Sequence, residues 1–208
     1  MKASRSVELR WWIAAGLFFV AFAMVGIYIA SRPPGRFDIA ALALQGKGVF
    51  LAAFFTLLGR WYAVALISLA AFAFAFAARA DVRLVAAVAA SQLVSQGVVS
   101  GLKHVFHRVR PDHWFIFQEP DTSFPSGHSV TAVVFYLALA LLLARVHTTQ
   151  RPIVLVGVVA LCICVFGLPW SRLALGAHYL SDVFGGLLFG VGWVCALTAL
   201  AYRFGYAP

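Results

Sequence analysis

The chain has 208 residues, of which 63% are hydrophobic and 11% charged, and carries a formal net charge of +9. A globular domain in water has about 25% charged residues, so this composition excludes an ordinary soluble fold and makes lipid the solvent, with length for about six spans of ~20 residues. Nucleic acid is not the expected partner, because the basic residues sit at the ends of apolar runs, where anionic headgroups lie, rather than in a stripe along one face.

Lys2, Arg5 and Arg10 precede a first apolar run, Trp11 to Ala30, which Arg32-Pro33-Pro34-Gly35-Arg36 stops. The run is longer than a signal-peptide core and lacks a small-residue cleavage pattern, so it reads as a retained first helix. From Phe37 to Gly59 the apolar signal is broken by Asp38, Gln45, Gly46, Lys47 and Gly48, which predicts an interfacial helix with a re-entrant turn. Further spans are expected at about Trp61–Ala78, Val82–Leu102, Ser129–Ala144, Pro152–Leu168 and Tyr179–Tyr202. The expected fold is therefore all-α: a polytopic membrane bundle of about six transmembrane helices in a single domain over 1–208, with an interfacial helix after the first. Cys162, Cys164 and Cys195 lie inside apolar runs in odd number, which predicts buried, inert thiols.

With the N-terminus in the cytoplasm, eight basic residues near span ends lie inside and eight outside. The bias of cations toward the cytoplasm does not separate these. Three of the outer ones, Lys103, Arg110 and Arg172, belong to an anion site described next, and setting them aside leaves eight against five. That orientation places 103–128 and 172–182 on the same, outer side, where residues distant in sequence meet.

Three polar segments stand out from the apolar background: Lys103-x6-Arg110-Pro111, Phe124-Pro125-Ser126-Gly127-His128, and Ser171-Arg172-x5-His178-x3-Asp182. In this order and spacing, with the helices between them, they resemble the three-part signature of the type 2 phosphatidic acid phosphatase family, which also includes the vanadium haloperoxidases. The resemblance covers roughly 82–202. It implies a lipid phosphatase in which His178 forms a covalent phosphohistidine.

The residue chemistry leads to the same place. A phosphoryl group in transfer spreads negative charge over its equatorial oxygens, and catalysis is mostly positioning and electrostatic stabilisation. Lys103, Arg110 and Arg172 supply positive charge, the arginines as planar forks and the lysine as a point charge. Ser126 offers a hydroxyl, and Gly127 offers a close backbone N–H at an expected helix start. If His178 and Asp182, four apart, share the first turn of the last helix, the carboxylate accepts from Nδ1 and Nε2 faces phosphorus. His128 is placed to protonate the leaving oxygen and then to activate water. No metal and no cofactor is expected, since the cationic side chains stand in place of magnesium.

Each segment alone has a plainer reading. Lys103, Arg108 and Arg110 suit a helix end in the headgroups, Pro125–Gly127 a turn, and His178 with Asp182 a structural pair; the plain readings do not explain their joint occurrence. His104 and His107, three apart, lack a matching carboxylate and are read as headgroup contacts. Asp112, His113, Gln118, Glu119 and Asp121 fill a loop, as solvated residues or as shapers of substrate entry. Gly185, Gly186, Gly190 and Gly192 predict close packing of the last helix. Trp11, Trp12, Trp61, Tyr62, Trp114 and Trp170 read as interfacial anchors.

The expected substrate is a membrane lipid phosphate or pyrophosphate, its tail in the bilayer and its headgroup at the outer face of a bacterial-type cytoplasmic membrane. The family implies undecaprenyl pyrophosphate, phosphatidylglycerol phosphate, phosphatidic acid or lipid A phosphate, the first being favoured for so short a chain. Rival readings are vanadate-dependent halide oxidation, against which the membrane spans weigh, a lipid phosphotransferase, and a non-catalytic lipid-binding or transport protein. The last should have lost His178, Asp182 or the arginines, and none is lost.

Overall fold

The structure, a computed structural model, describes residues 2–112, 119, 121–146 and 151–205, with side chains from residue 5 onward. His113, Trp114, Gln118 and the Lys2 side chain lie outside the described residues. All regular elements among the described residues are helical: α1 Lys2–Ala30, α2 Arg36–Ala41, α3 Val49–Leu58, α4 Trp61–Ala77, α5 Val82–Phe106, α6 Gly127–Ala144, α7 Arg151–Ala174 and α8 Leu180–Arg203.

Five of these, α1, α5, α6, α7 and α8, are long and apolar enough to cross a membrane. The bent pair Arg36–Leu44 and Val49–Leu58, which turns through 108°, makes a sixth if it is counted as one span. This is the interrupted segment expected to re-enter. Gly48, at φ 66, starts α3 in the left-handed conformation that glycine adopts without steric cost. Helix α4, at 17 residues, is about 25 Å long, short of the ~30 Å hydrocarbon layer.

Large apolar side chains such as Leu17, Ile27, Phe76 and Phe166 stand on the outside. In water so broad an apolar surface would be covered by a partner; in a bilayer it is the solvated face. Inside, α1 lies along α8. Phe22 and Ile29 of α1 pack with Val99, Phe124, Val130, Val134 and Phe189. The Phe22 and Phe124 rings stack at 5.4 Å. A second core joins Phe55 of α3 to Phe135, Tyr136, Leu139 and Leu168.

Helix α8 approaches α6 closely because its facing residues lack side chains. A Cβ on Gly186 would stand 2.5 Å from the Ser126 carbonyl oxygen, and one on Gly190 2.9 Å from Val133 Cβ. The expected role of these glycines is thus realised. Opposite them, α6 widens into a π-helical stretch over Ala132–Leu137, a deviation often found near functional sites.

Three expectations about the helices need correction. Of the three thiols only Cys195 is buried, Cys162 and Cys164 being half-buried. The span ending at Leu168 instead runs through Pro169 to Ala174, which places Arg172 in the last helical turn rather than in a loop. A proline inside a helix forfeits one backbone bond, here the one to the Val165 carbonyl, yet the helix continues past buried Pro169 to Ala174, with the Ser171 hydroxyl donating to the Leu168 carbonyl at 2.7 Å. Trp170 is not an interfacial anchor: it packs edge-on against Phe55 at 6.3 Å and lies over Gly48.

Candidate active site

Four helix ends meet at one end of the bundle. Helix α5 ends beyond Lys103, with His107 as its left-handed cap. Helix α6 begins at Gly127, α7 delivers Arg172 in its last turn, and α8 starts at Leu180. All seven predicted side chains gather here. Lys103, Arg110, Ser126, Arg172, His178 and Asp182 are buried and His128 is half-buried.

Ser126 is the N-cap of α6: its Oγ accepts the Ser129 N–H at 3.4 Å, so its own O–H remains a donor. Its backbone N–H donates to the Asp182 carbonyl at 3.1 Å, tying the second motif to the third. Gly127 occupies the first helical position, and its carbonyl accepts from Gln96 Nε2 at 3.2 Å.

His178 does not lie in the first turn of α8 as the spacing suggested. It precedes the N-cap Tyr179, and Asp182 sits at the third helical position, where Oδ2 accepts the Tyr179 N–H at 2.8 Å. A carboxylate at that position neutralises an orphan N–H of the helix start. Asp182 Oδ2 is 3.5 Å from His178 Nδ1, but that buried nitrogen makes no hydrogen bond among the described residues, so the expected bond between ring and carboxylate is not formed here. The other ring nitrogen, Nε2, lies 2.9 Å from Arg110 Nη1. Arginine only donates, so Nε2 carries the lone pair and Nδ1 the proton, facing Asp182. Burial, then the Arg110, Arg172 and Lys103 charges, hold the His178 imidazole well below the ordinary histidine range, so it is neutral at pH 7.

The three cations are engaged by two acidic residues. Arg172 Nη2 donates to Glu119 Oε1 at 2.8 Å and Arg110 Nη2 to Glu119 Oε2 at 3.0 Å. Lys103 Nζ donates to Asp121 Oδ2 at 2.5 Å, and Arg110 also pairs with Asp121. Burial raises the Glu119 carboxyl and the nearby Arg172, Arg110 and Lys103 charges more than offset it, leaving it below its ordinary value. The two carboxylates therefore take up donors that any other anion entering here would need. Arg172 Nε is buried without a hydrogen-bond partner among the described residues, a donor still open to such an oxygen.

The α2–α3 hairpin also enters the site. Thr56 Oγ1 accepts from Arg172 Nη1 at 2.9 Å, and its carbonyl lies 3.0 Å from His128 Nε2. A carbonyl only accepts, so His128 Nε2 carries a proton and Nδ1 is the nitrogen left for a substrate. Gly59 abuts the His128 ring so closely that a Cβ there would collide with it. At the hairpin's turn, the Gly46 N–H donates to the Ala174 carbonyl at 2.9 Å, satisfying the C-terminal end of α7.

The sequence model of the PAP2 superfamily matches residues 80–206. The chain belongs to that superfamily. Among curated proteins of the family, the lipid A 1-phosphatase of Rhizobium etli is 38% identical over 121 residues, covering 53% of this chain and 47% of that protein. Phosphatidylglycerophosphatase B of Bacillus subtilis is 34% identical over 96 residues, covering 43% of this chain and 44% of its own. The chain thus spans about half the length of the curated relatives it matches. The crystal structure of a transmembrane PAP2-type phosphatidylglycerolphosphate phosphatase from Bacillus subtilis superposes with a TM-score of 0.65 at 20% identity, covering 99% of this chain and 98% of that one. That likeness establishes the multi-pass helical membrane fold of the family.

Several site residues escaped the sequence reading. Arg108, read as a headgroup anchor, is buried: Nη1 donates to Asp182 Oδ1 and to Ser181 Oγ, each at 2.6 Å, and Nη2 to Asp38 Oδ2 at 2.8 Å. Its charge is held raised against burial by Asp182 and Asp38. Glu119 and Asp121, read as loop residues, bind the cations directly. Thr56 carried no local signal, and Asp38 was read only as an interruption of an apolar run. His104 and His107 stay exposed, their rings 6.5 Å apart.

Proposed function

We propose that this chain is a metal-independent lipid phosphate or pyrophosphate phosphatase working through a phosphohistidine at His178. One observation carries the reading: a buried, neutral imidazole with its lone pair at Nε2 stands beside a cluster of three cationic side chains held by the Glu119 and Asp121 carboxylates. A phosphoryl group displaces Glu119 and Asp121, and Lys103, Arg110 and Arg172 pass to its oxygens, joined by the Ser126 hydroxyl and the Gly127 N–H. Released from Arg110, Nε2 attacks phosphorus. The Nε2–P bond forms as the bond to the leaving oxygen breaks, and the Nδ1 proton stays opposite Asp182, whose charge balances the cationic ring. His128, its Nε2–H held by the Thr56 carbonyl, takes a second proton at Nδ1 when the negative phosphate binds beside it. As the imidazolium it gives that Nδ1 proton to the leaving oxygen, and the neutral ring then draws one at Nδ1 from the water that hydrolyses the phosphohistidine.

The substrate is an amphiphile whose tail stays among the apolar helix faces while its headgroup reaches the site. The names of the relatives support lipid A 1-phosphate and phosphatidylglycerol phosphate, and a putative undecaprenyl-diphosphatase of Escherichia coli, 35% identical over 115 residues, supports undecaprenyl pyrophosphate; phosphatidic acid is weighed with them. The balance of basic residues supports a site on the outer face of the cytoplasmic membrane. Phosphate release from these four lipids in EDTA tests the reading. Turnover of at least one, abolished by His178→Ala, is expected; full activity of His178→Ala sinks the mechanism.

A further inference from the structure

The hairpin bearing Asp38 precedes the segment matched by the family model, which begins at residue 80, yet it reaches the residues around the nucleophile. Asp38 is buried in the first turn of α2. Its Oδ2 accepts from Arg108 Nη2 at 2.8 Å, and its Oδ1 accepts the Ser181 backbone N–H and hydroxyl, both at 2.8 Å. Arg108 is the bridge: its Nη1 donates to Asp182 Oδ1 at 2.6 Å, and its guanidinium lies 4.6 Å from the centre of the Tyr179 ring. One buried guanidinium is therefore shared between two carboxylates. One of them, Asp182, faces His178 Nδ1 at 3.5 Å.

We propose that Asp38 is a positioning residue for the nucleophile, dividing the charge of Arg108 so that Asp182 keeps enough of its own to balance the phosphorylated His178 ring. The inference rests on the assignment of His178 as nucleophile. Asp38 touches neither substrate nor His178; it acts through Arg108 and, through Ser181, on the helix start that carries Asp182. The charge that must be balanced appears only after attack, when Nε2 is bonded to phosphorus and Nδ1 keeps its proton. Loss of Asp38 leaves the full guanidinium charge on Asp182, at a cost that falls on the chemical step rather than on phosphate binding, which Lys103, Arg110 and Arg172 perform.

A role limited to anchoring the hairpin makes a different prediction, because Thr56 on the same hairpin holds Arg172. A loosened hairpin would weaken phosphate binding and lower thermal stability together. The full chain in detergent is assayed on phosphatidic acid, or on whichever lipid of the four turns over faster, in mixed micelles. Asp38→Asn is expected to lower kcat by about 10- to 100-fold, the scale seen when residues that orient metal-binding side chains from behind are removed, with KM within about twofold of wild type, and Asp38→Glu to recover most of the rate. Should Asp38→Asn fail to fold, Asp38→Ser, which also removes the carboxylate and leaves the Arg108 charge to Asp182, is expected to show the same kcat loss. Wild-type kcat in the folded variant, or a rise in KM together with a lower melting temperature, overturns the proposal. His178→Ala run alongside separates the two claims: if it is inactive while Asp38→Asn is normal, only the role of Asp38 falls.

Discussion

Glu119→Gln is the most informative single change in the phosphate site. Glu119 takes charge-assisted bonds from Arg172 and Arg110 at 2.8 and 3.0 Å, with its side chain 22% exposed. A hydrogen bond to a charged group contributes about 1.5–3 kcal/mol. Glutamine keeps one acceptor but loses the charge, so partial solvation leaves a weakening of competition of about 1–2 kcal/mol. The same two guanidinium groups cannot hold both Glu119 and a phosphate. Inorganic phosphate should therefore inhibit the variant at a Ki lower by about 5- to 30-fold, since each 1.4 kcal/mol is tenfold. The folded-state pKa of Glu119 is depressed, so its ion pairs stabilise the empty protein above about pH 4.5 and that contribution fades as pH falls through the lowered value. The variant should accordingly melt at a lower temperature at pH 7 while binding phosphate more tightly. Competitive inhibition at pH 7 and calorimetric titration with phosphate read out the effect. An unchanged or higher Ki would refute the view that Glu119 competes with the substrate.

Other expectations follow from the same geometry. His178 is held well below 6.5 by burial and the neighbouring cations and reacts unprotonated, so the acid limb of kcat/KM that it controls should lie below pH 6.5; a limb above 6.5 that moves in a His178 variant would contradict this. Gly59→Ala drives a methyl group into the His128 ring and should cut phosphate release by tenfold or more, whereas wild-type turnover would show that His128 need not sit where it does. Gly186→Ala presses on the Ser126 carbonyl at 2.5 Å and should cost about 1–3 kcal/mol of stability, visible as a lower melting temperature in detergent.

The three motifs were legible because lipid makes polar residues costly. In a chain this apolar, Lys103, Arg110, His178 and Asp182 each have a plain reading alone, and only their occurrence together at these spacings points to a site. The glycines of α8 were legible for a related reason, since small residues let helices approach where lipid gives them no other reason to associate. What sequence could not reveal was pairing across distance. Asp38 and Ser181 are 143 positions apart and Thr56 and Arg172 are 116 apart; Asp38 stood out only as a break in an apolar run, and Thr56 carries no local pattern. Arg108 resembled a headgroup anchor because a helix-end cation in lipid and one buried between two carboxylates leave the same trace in sequence. Glu119 and Asp121 looked solvated for the converse reason: loop carboxylates are ordinary until the cations they face are known. The placement of His178 before α8 turned on which residue caps the helix, and Asp182 settles that by accepting the Tyr179 N–H.

The central claim is a covalent phosphate on His178. Purified protein mixed with 32P-labelled lipid phosphate in EDTA and quenched in base within milliseconds should carry acid-labile, base-stable label on the peptide containing His178, and the label should vanish in His178→Ala. Turnover without such label, or label on any other residue, would contradict the account.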